Sequence, residues 1–289
     1  MSTATISAQD INKLRQATGA GMMDCRKALT ETNGDFEAAI DWLRKQGQKV
    51  AAKRSDREAK EAALRGDREA KEGVVIAQTT ADNKTGIVVC VSCETDFVSK
   101  NADFVAFGQT IADAAIANNV KTLEELMNTA AGNSTVAELV NDKLATIGEK
   151  IGVTKFERVD AAYVASYNHG AYRIGVLVGM DKEAVDAGKD VAMQIAALNP
   201  VAVDAASVSA DIIAREKDII LELMKQDPKM AGKPEEMLSK IVEGKMGAFF
   251  KEQTLTAQSF VKDGSKTVAD FLKESGDVKV TEFKRVALG

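Results

Sequence analysis

Two apolar runs separated by a polar turn, with a helical pattern after them, most constrain the fold of this chain. Residues 74–77 and 86–91 flank a turn at 82–84, and this arrangement predicts a β-hairpin. Phe104 and Ile111 follow at helical spacing, which predicts a helix with one apolar side. A hairpin followed by a helix belongs to the α+β class, because each element must bury its apolar side against another.

The same order of elements returns near residue 160. Apolar runs at 162–165 and 174–178 flank a turn at 168–170, and a helical pattern follows over 185–198. Four residues of the two helical segments match at a spacing of 80 residues, which suggests two related α+β units. The matched pairs are Gly108 with Gly188, Ala112 with Ala192, Ala117 with Ala197, and Asn119 with Asn199.

The N-terminal residues 1–54 predict a module of three helices. Ser7 followed by Asp10 is typical of a capping box at the start of the first helix. The third helix is expected to begin after an Asn-Gly turn, with Asp35 as its cap. A compact helical module of this size can fold with its own small core.

The rest of the chain divides by composition into further segments. We predict a charged helical linker at 55–72, a first core subdomain at 73–158, a second at 159–208 with 251–289, and an antiparallel helical hairpin inserted at 209–250. The first subdomain also contains a helical stretch over 122–148 and a strand over 153–159. The inserted hairpin has two apolar stripes, which it cannot bury by itself. It must therefore pack on the body or on a partner, and it is a candidate for self-association.

Composition and charge narrow the function classes. The net charge of −5 disfavours a nucleic-acid binder that relies on an overall positive field. No run approaches the roughly 18 apolar residues of a membrane span, and the N-terminus resembles neither a secretory signal nor a transit peptide. Three cysteines do not make a disulfide framework, so we expect a cytoplasmic protein with no direct nucleic-acid or membrane contact.

A glycine-rich segment at 18–29 is the most distinctive motif. Gly19 and Gly21 could form a phosphate-binding turn, but neither the Lys-Ser pair of a P-loop nor the third glycine of a dinucleotide site follows. A helical pattern precedes the segment, so the glycines are expected to end one helix and begin the next. Met22 and Met23 then form either a soft contact surface or part of the core, and the residues alone leave both open.

The sequence contains no pattern typical of an enzyme. It has one histidine and no recognisable nucleophile motif or metal-ligand cluster, so catalytic residues, a metal site and a cofactor are not expected. Cys90 and Cys93 form a C-x-x-C pair, and a thiol redox protein is therefore the competing interpretation. These cysteines lie in or at the end of an apolar strand, whereas a thioredoxin-like pair stands at a helix start.

Two polar turns are the remaining candidates for a site. One is Thr95-Asp96-Phe97-Val98, where an acidic residue stands beside an aromatic one. The other contains His169. From the residues alone, the simpler interpretation is that Phe97 folds inward, Asp96 caps the next helix, and His169 is a solvated turn residue.

Four motifs, taken together, resemble the bacterial translation elongation factor Ts family nearly from end to end. They are T-G-A-G-M-M-D-C-R-K-A-L at 18–29, T-D-F-V at 95–98, S-Y-N-H-G at 166–170 with R-I-G-V-L at 173–177, and L-T-A-Q-S-F-V at 255–261 with S-K-T-V at 265–268. The motifs also stand in the order that the family has.

The resemblance implies a guanine nucleotide exchange factor that releases GDP from elongation factor Tu and performs no bond chemistry. It implies that residues 1–54 are a ubiquitin-associated-like module that docks on the GTPase domain. Arg15, Met22 and Met23 match the contact surface of that module. The resemblance also implies that the α+β units are the core subdomains.

The two polar turns acquire roles from the same resemblance. The motif at 95–98, and Asp96 and Phe97 in particular, matches residues that intrude near the magnesium site of the GTPase. His169 matches a residue inserted into the same partner domain. The chain ends at Gly289 without the additional C-terminal helix that some members have, and its charged linker is longer than expected for the family.

Overall fold

The computed structural model describes residues 6–18, 20–46, 70–227 and 233–289. It divides into two compact units. The first unit contains the described residues up to Val74, with 89–156 and 288–289, and the second contains 75–88 and the described part of 157–287. The linker predicted at 55–72 lies outside the described residues except for 70–72, and so do Gly19 and residues 228–232 of the segment predicted as an inserted hairpin.

Three helices form in the N-terminal segment. They span Ala8–Thr18 (α1), Met22–Glu31 (α2) and 36–46 (α3). The capping box of α1 is present, because the Ser7 N–H donates to Asp10 Oδ2 at 3.2 Å and the Asp10 N–H donates to Ser7 Oγ at 3.2 Å. Asp35 caps α3 by accepting the Ala38 N–H at 3.0 Å. The buried residues that the three helices share are Leu14, Cys25, Ala28, Leu29 and Ala39.

The predicted first hairpin belongs to a three-stranded sheet in the order β1–β2–β5. Its strands are Glu72–Thr79 (β1), Thr85–Cys93 (β2) and Gly152–Asp160 (β5). Between β2 and β5 lie Asp96–Ser99 (α4), Ala102–Ala117 (α5), Leu123–Asn128 (α6), Ala130–Ala131 (β3), Ser134–Thr135 (β4) and Val136–Ile147 (α7). Helix α5 buries the predicted apolar side, including Phe104 and Ile111.

The single helical stretch expected over 122–148 is wrong, because a short hairpin of β3 and β4 interrupts it. Gly132 in the hairpin turn has a φ of +69°, which a helix cannot accommodate. Thr135 then starts a new helix with a complete capping box, since its Oγ1 accepts the Glu138 N–H at 3.2 Å while its own N–H donates to Glu138 at 2.9 Å. The capping box at Thr135 therefore starts a second helix where the apolar periodicity alone predicts a continuous one.

The second hairpin lies in an antiparallel sheet in the order β10–β7–β6. Its strands are Tyr163–His169 (β6), Ile174–Met180 (β7) and Val280–Ala287 (β10). Helix α8, Val185–Leu198, packs on β6 and β7. A Cβ atom at Gly188 would lie 2.5 Å from Met180 Cε and 2.8 Å from Ala165 Cβ, so the helix approaches the sheet as closely as glycine permits.

The two sheets share one order of elements. In each, a hairpin is followed by a helix, and the later strand returns beside the second strand of the hairpin. The predicted α+β class is confirmed at the level of mixed helix and sheet. The relation between the units, their boundaries and the ubiquitin-associated-like character of the N-terminal helices stay predictions.

Two long helices occupy most of the segment predicted as an insertion. Ala210–Gln226 (α9) and Glu235–Gln253 (α10) pack through a seam of Ile220, Met224 and Met246. The chain then forms Ser259–Phe260 (β8), Asp263–Thr267 (β9) and Val268–Glu274 (α11) before β10. Among the helices described, none has the length and apolar character needed to cross a membrane.

The buried side-chain amides of Gln194 and Gln258 connect the C-terminal end of α10 to α8. Gln194 is fully buried, and its Nε2 donates to Gln258 Oε1 at 3.2 Å. Gln258 Nε2 donates in turn to the Glu252 carbonyl at 2.9 Å, and Gln194 Oε1 accepts the Val261 N–H at 2.8 Å. A buried polar network in which every hydrogen-bonding group has a partner favours one arrangement of the chain. These bonds therefore hold the C-terminal end of α10 beside α8.

We expect Gly188→Ala to destabilise the protein by about 1–3 kcal/mol, because overpacking against Ala165 and Met180 outweighs the better helix propensity of alanine. Gly244→Ala is the matched control, since Gly244 lies in α10 and a Cβ there has nothing within 4 Å. That change should stabilise by about 0.5–1 kcal/mol. Chemical denaturation of both variants measures the effects, and equal stabilisation by both would contradict the close contact of α8 with its sheet.

Candidate protein-binding surfaces

The turn at 95–98, here called the exchange turn, presents an aromatic side chain to solvent. Thr95 precedes the four-residue helix α4, in which Asp96 and Phe97 are the first two residues. Phe97 is 85% exposed, so it does not fold inward. Asp96 lies inside the short helix rather than at its cap. The simpler interpretation of this motif as a buried aromatic with a capping carboxylate is therefore wrong.

A carboxylate from a distant part of the chain holds the exchange turn. Glu149 Oε1 accepts the Thr95 hydroxyl at 2.7 Å, and Glu149 Oε2 accepts the Thr95 N–H at 3.1 Å. The neighbouring residues make the reverse contact, because the Lys150 N–H donates to Glu94 Oε1 at 2.7 Å. The motif at 95–98 gave no indication of Glu149 or Glu94, since these contacts join segments more than fifty residues apart (54 and 56).

Local hydrogen bonds complete the support beneath the turn. The Thr95 carbonyl accepts both the Cys93 thiol at 3.3 Å and the Ser99 N–H at 3.2 Å. Ser99 is buried, and its hydroxyl donates to the Asp96 carbonyl at 3.2 Å. The backbone under Phe97 is therefore bound from several directions although the ring itself makes almost no contact with the protein.

Asp96 is a charged group on the exposed side of the turn. Lys100 Nζ donates to Asp96 Oδ2 at 2.7 Å, and both side chains are largely exposed. The hydrogen bond from Lys100 lowers the pKa of Asp96, so the carboxylate is ionised at neutral pH. An exposed pair of this kind contributes little to stability, and a partner can replace the lysine at small cost.

The methionines of the glycine-rich motif lie on the surface. Met22 and Met23 are the first residues of α2 and are 57% and 74% exposed. Gly21 precedes them as the N-cap, which agrees with the expected change from one helix to the next. Arg15 is exposed on α1. The alternative in which both methionines fill the core is wrong, because the core uses Cys25, Ala28 and Leu29 of the same helix instead.

His169 is exposed, but the turn beside it is displaced from the predicted position. The sequence predicts the turn at 168–170, whereas β6 continues through His169. Tyr167 Oη and His169 Nδ1 are 3.0 Å apart and form a hydrogen bond. Asn168 binds the edge of β1, since its Nδ2 donates to the Ala77 carbonyl at 2.9 Å and its Oδ1 accepts the Ala77 N–H at 2.7 Å. This bidentate contact prolongs the strand and fixes the residues on either side of Asn168.

The tip of this hairpin has an uncommon backbone. Gly170, Ala171 and Tyr172 all have positive φ, with values of 61°, 53° and 67°. A side chain such as tyrosine rarely adopts this region, so the turn needs external support. The Val75 N–H provides it by donating to the Tyr172 carbonyl at 2.7 Å.

The C-x-x-C pair is not arranged for redox chemistry. Cys90 and Cys93 both lie in β2, where residues three apart point to opposite faces and their Cα atoms are about 10 Å apart. A disulfide needs Cα atoms within roughly 7 Å. Burial raises the pKa of Cys90, and burial followed by the charge of Glu149 raises the pKa of Cys93 to about 12. The competing interpretation as a thiol redox protein is therefore disfavoured.

Exposed apolar side chains on supported turns are typical of a surface that binds another protein. Within the described ranges, no group of three His, Cys, Asp or Glu side chains could hold a metal ion. The exposed side chains of Phe97, Met22 and Met23 are therefore candidates for contacts with another protein.

Comparison with known proteins gives the family. The family model described as "Elongation factor TS" matches residues 94–289. Elongation factor Ts of Christiangramia forsetii is 43% identical over 290 residues, covering 99% of this chain and 100% of the relative. That of Flavobacterium psychrophilum has the same identity and coverage, and that of Psychrobacter arcticus is 41% identical over 100% of this chain and 92% of the relative. The chain belongs to the elongation factor Ts family, whose members serve translation elongation.

We expect the three cysteines to resist thiol reagents while the protein is folded. Cys25, Cys90 and Cys93 are free and buried, and burial raises the pKa of each. For Cys93, a pKa of about 12 against 9.0 makes the thiolate roughly a thousandfold rarer at neutral pH than in the unfolded chain. Above pH 9.0 the Cys93 thiol ionises in the unfolded chain but stays protonated in the folded protein. The free energy of unfolding should therefore fall as pH rises above 9.0.

Reaction with dithiobis(nitrobenzoate) at about pH 7.5, below the ordinary pKa of a free thiol, measures this accessibility. The native protein should release almost no thionitrobenzoate, and the guanidinium-unfolded protein should react at all three cysteines. Rapid reaction of Cys90 and Cys93 in the native protein would restore the redox interpretation.

Proposed function

We propose that this protein is a guanine nucleotide exchange factor for elongation factor Tu. It binds the GDP form of that GTPase, disturbs the magnesium and phosphate site, and promotes release of GDP so that GTP can bind. Membership of the elongation factor Ts family supports the general role. The observation that most supports the finer mechanism is an aromatic side chain, Phe97, that is 85% exposed on a rigidly held turn.

Phe97 acts as a wedge in this mechanism. A buried phenylalanine stabilises an assembly by about 1.5–3 kcal/mol relative to an exposed one. Exchange factor and nucleotide weaken each other by the same factor, and about 1.4 kcal/mol corresponds to a tenfold change. If the pocket for Phe97 opens only when the partner's nucleotide site is displaced, burial of this one ring weakens GDP binding by roughly ten- to a hundredfold.

Asp96 assists by bringing a negative charge near the magnesium site. Magnesium bridges phosphate oxygens to a GTPase, so a rearrangement of its ligands loosens the nucleotide. Asp96 need not bind the ion, because it can exchange its exposed partner Lys100 for a cationic or N–H donor of the partner. Thr95 and Val98 flank these two residues and set the direction of the turn.

The remaining surfaces provide affinity. Met22 and Met23 offer flexible apolar contacts on the first turn of α2, and Arg15 adds a charged contact from α1. His169, whose ring is oriented by Tyr167, is a further contact with the same partner. We assign no bond-making or bond-breaking chemistry, no cofactor and no direct contact with nucleic acid or membrane to this protein, and we place its action in the cytoplasm.

We expect Phe97→Ala to reduce the maximal rate of GDP release by roughly ten- to a hundredfold, because the wedge loses its buried area. Stopped-flow release of a fluorescent GDP analogue from elongation factor Tu, measured over a range of factor concentrations, gives the maximal rate and the half-saturating concentration. Met23→Ala should instead raise the half-saturating concentration several-fold at an unchanged maximal rate.

Val185→Ala is the matched control, since Val185 is 58% exposed but lies outside the proposed contact surfaces. It should change neither quantity. A Phe97→Ala variant that keeps the maximal rate and loses only affinity would contradict the wedge. A wild-type protein that binds elongation factor Tu without accelerating GDP release would be a scaffold, and the exchange function would be wrong.

The helical hairpin of α9 and α10 is proposed as a surface for self-association. Leu221, Leu223 and Met237 are exposed apolar side chains on it and lie outside its buried seam. Sedimentation velocity of the full chain should show a concentration-dependent dimer, which Leu223→Glu should weaken at least tenfold. Leu198→Glu, at an exposed apolar position on α8, should leave the dimer intact. A monomer at all concentrations would exclude this use of the hairpin.

A further inference from the structure

We propose that Glu149 is a positioning residue for nucleotide exchange, acting through Thr95 to hold the exchange turn in the direction from which Phe97 enters the partner. The inference rests on the proposed exchange function. It assigns to Glu149 a role that does not require contact with the partner or with the nucleotide.

Glu149 accepts hydrogen bonds from both donors of Thr95, the side-chain hydroxyl and the backbone N–H. One carboxylate oxygen accepts the hydroxyl at 2.7 Å and the other accepts the backbone N–H at 3.1 Å. Hydrogen bonds to an ionised carboxylate are stronger than those between neutral groups. Two such bonds on one residue fix both the position and the rotation of its peptide unit.

The exchange turn has little stability of its own. Helix α4 has four residues, and a single helical turn without support is unstable in water. Thr95 is its N-cap, but its side chain makes no capping hydrogen bond to the helix, and its hydroxyl donates to Glu149 instead. Phe97 contributes no packing because its ring is exposed. Support from outside the turn therefore replaces both the usual cap and the usual apolar contact.

The sequence places Glu149 at this point through the end of α7. Gly148 ends that helix with a φ of +82°, and its N–H donates to the Leu144 carbonyl at 2.8 Å. Glu149 is the next residue, and Lys150 after it donates its N–H to Glu94. Two carboxylates thus connect the segment after β2 to the segment before β5, beyond the ends of the paired strands. Glu149 binds Thr95, and Glu94 binds Lys150.

A wedge is effective only if its direction is fixed before binding. A mobile turn would lose conformational freedom on entering the partner, and this loss would reduce the free energy available to displace the nucleotide. Met22 and Met23 lie on α2, outside this set of hydrogen bonds, and continue to supply affinity. Loss of Glu149 should therefore lower the maximal rate of release much more than it raises the half-saturating concentration.

The test compares Glu149→Ala, Glu149→Gln and Thr95→Val in the full chain, with GDP release from elongation factor Tu as the readout. We expect Glu149→Ala to lower the maximal rate about tenfold and to change the half-saturating concentration less than about twofold. Glu149→Gln should give a smaller loss, because an amide retains one acceptor but faces the second donor with its own NH₂ group. The double variant of Glu149→Ala and Thr95→Val should be no slower than the slower single variant, since Glu149→Ala already removes the hydroxyl bond that Thr95→Val removes.

Glu138→Ala is the matched control for a purely structural effect. Glu138 is a carboxylate on α7, the helix that precedes Glu149, and it completes the capping box with Thr135, so its loss should destabilise α7 without affecting the exchange turn. Its maximal rate of release should equal that of the wild type. A comparable loss of rate in Glu138→Ala would assign the Glu149 effect to general destabilisation and overturn the proposal.

Amide hydrogen exchange of Thr95 supplies a readout that is independent of the partner. Its N–H should exchange at least tenfold faster in Glu149→Ala than in the wild type, and at the wild-type rate in Glu138→Ala. If the wild type fails to accelerate GDP release, the exchange function is wrong whatever the amide shows. If the wild type accelerates release and Glu149→Ala keeps its maximal rate, the positioning role alone is wrong.

Discussion

Burial of apolar strands beneath a helix is the constraint on which the rest of this structure depends. In the second unit, α8 approaches its sheet until Gly188 leaves no room for a Cβ atom beside Met180 and Ala165. Interiors packed at this density do not deform gradually. Segments that leave a sheet are anchored at their ends, and two of the side chains proposed to contact a partner, Phe97 and His169, lie on or beside such segments.

Polar and apolar groups of the exchange turn have different proposed roles. In the proposed mechanism, the apolar ring of Phe97 supplies the free energy that displaces the nucleotide, because it is exposed in the isolated protein and can be buried in a complex. Polar groups supply direction, since Glu149 holds Thr95 by two hydrogen bonds without covering the ring. The hairpin that presents His169 follows the same arrangement, with Asn168 bound to the edge of β1.

Local patterns predicted the elements well where the deciding contacts are local. The helix expected over 185–198 has those bounds, and the Ser7–Asp10 capping box forms as expected. The prediction of one helical stretch over 122–148 is wrong. The apolar periodicity continues across the turn between β3 and β4, but a capping box after that turn starts a separate helix. The predicted turn beside His169 was displaced because the Asn168 contact with another strand prolongs β6.

The sequence by itself determined that a helix follows each of the two hairpins, the α+β class and the family, because periodicity, caps and motifs are all properties of neighbouring residues. Only the tertiary structure decided that Phe97, Met22 and Met23 point outward, since each could have filled a core that other residues occupy instead. It alone also brought Glu149 to Thr95. No local pattern relates residues 54 positions apart, and their contact exists only because the ends of β2 and β5 meet in one sheet.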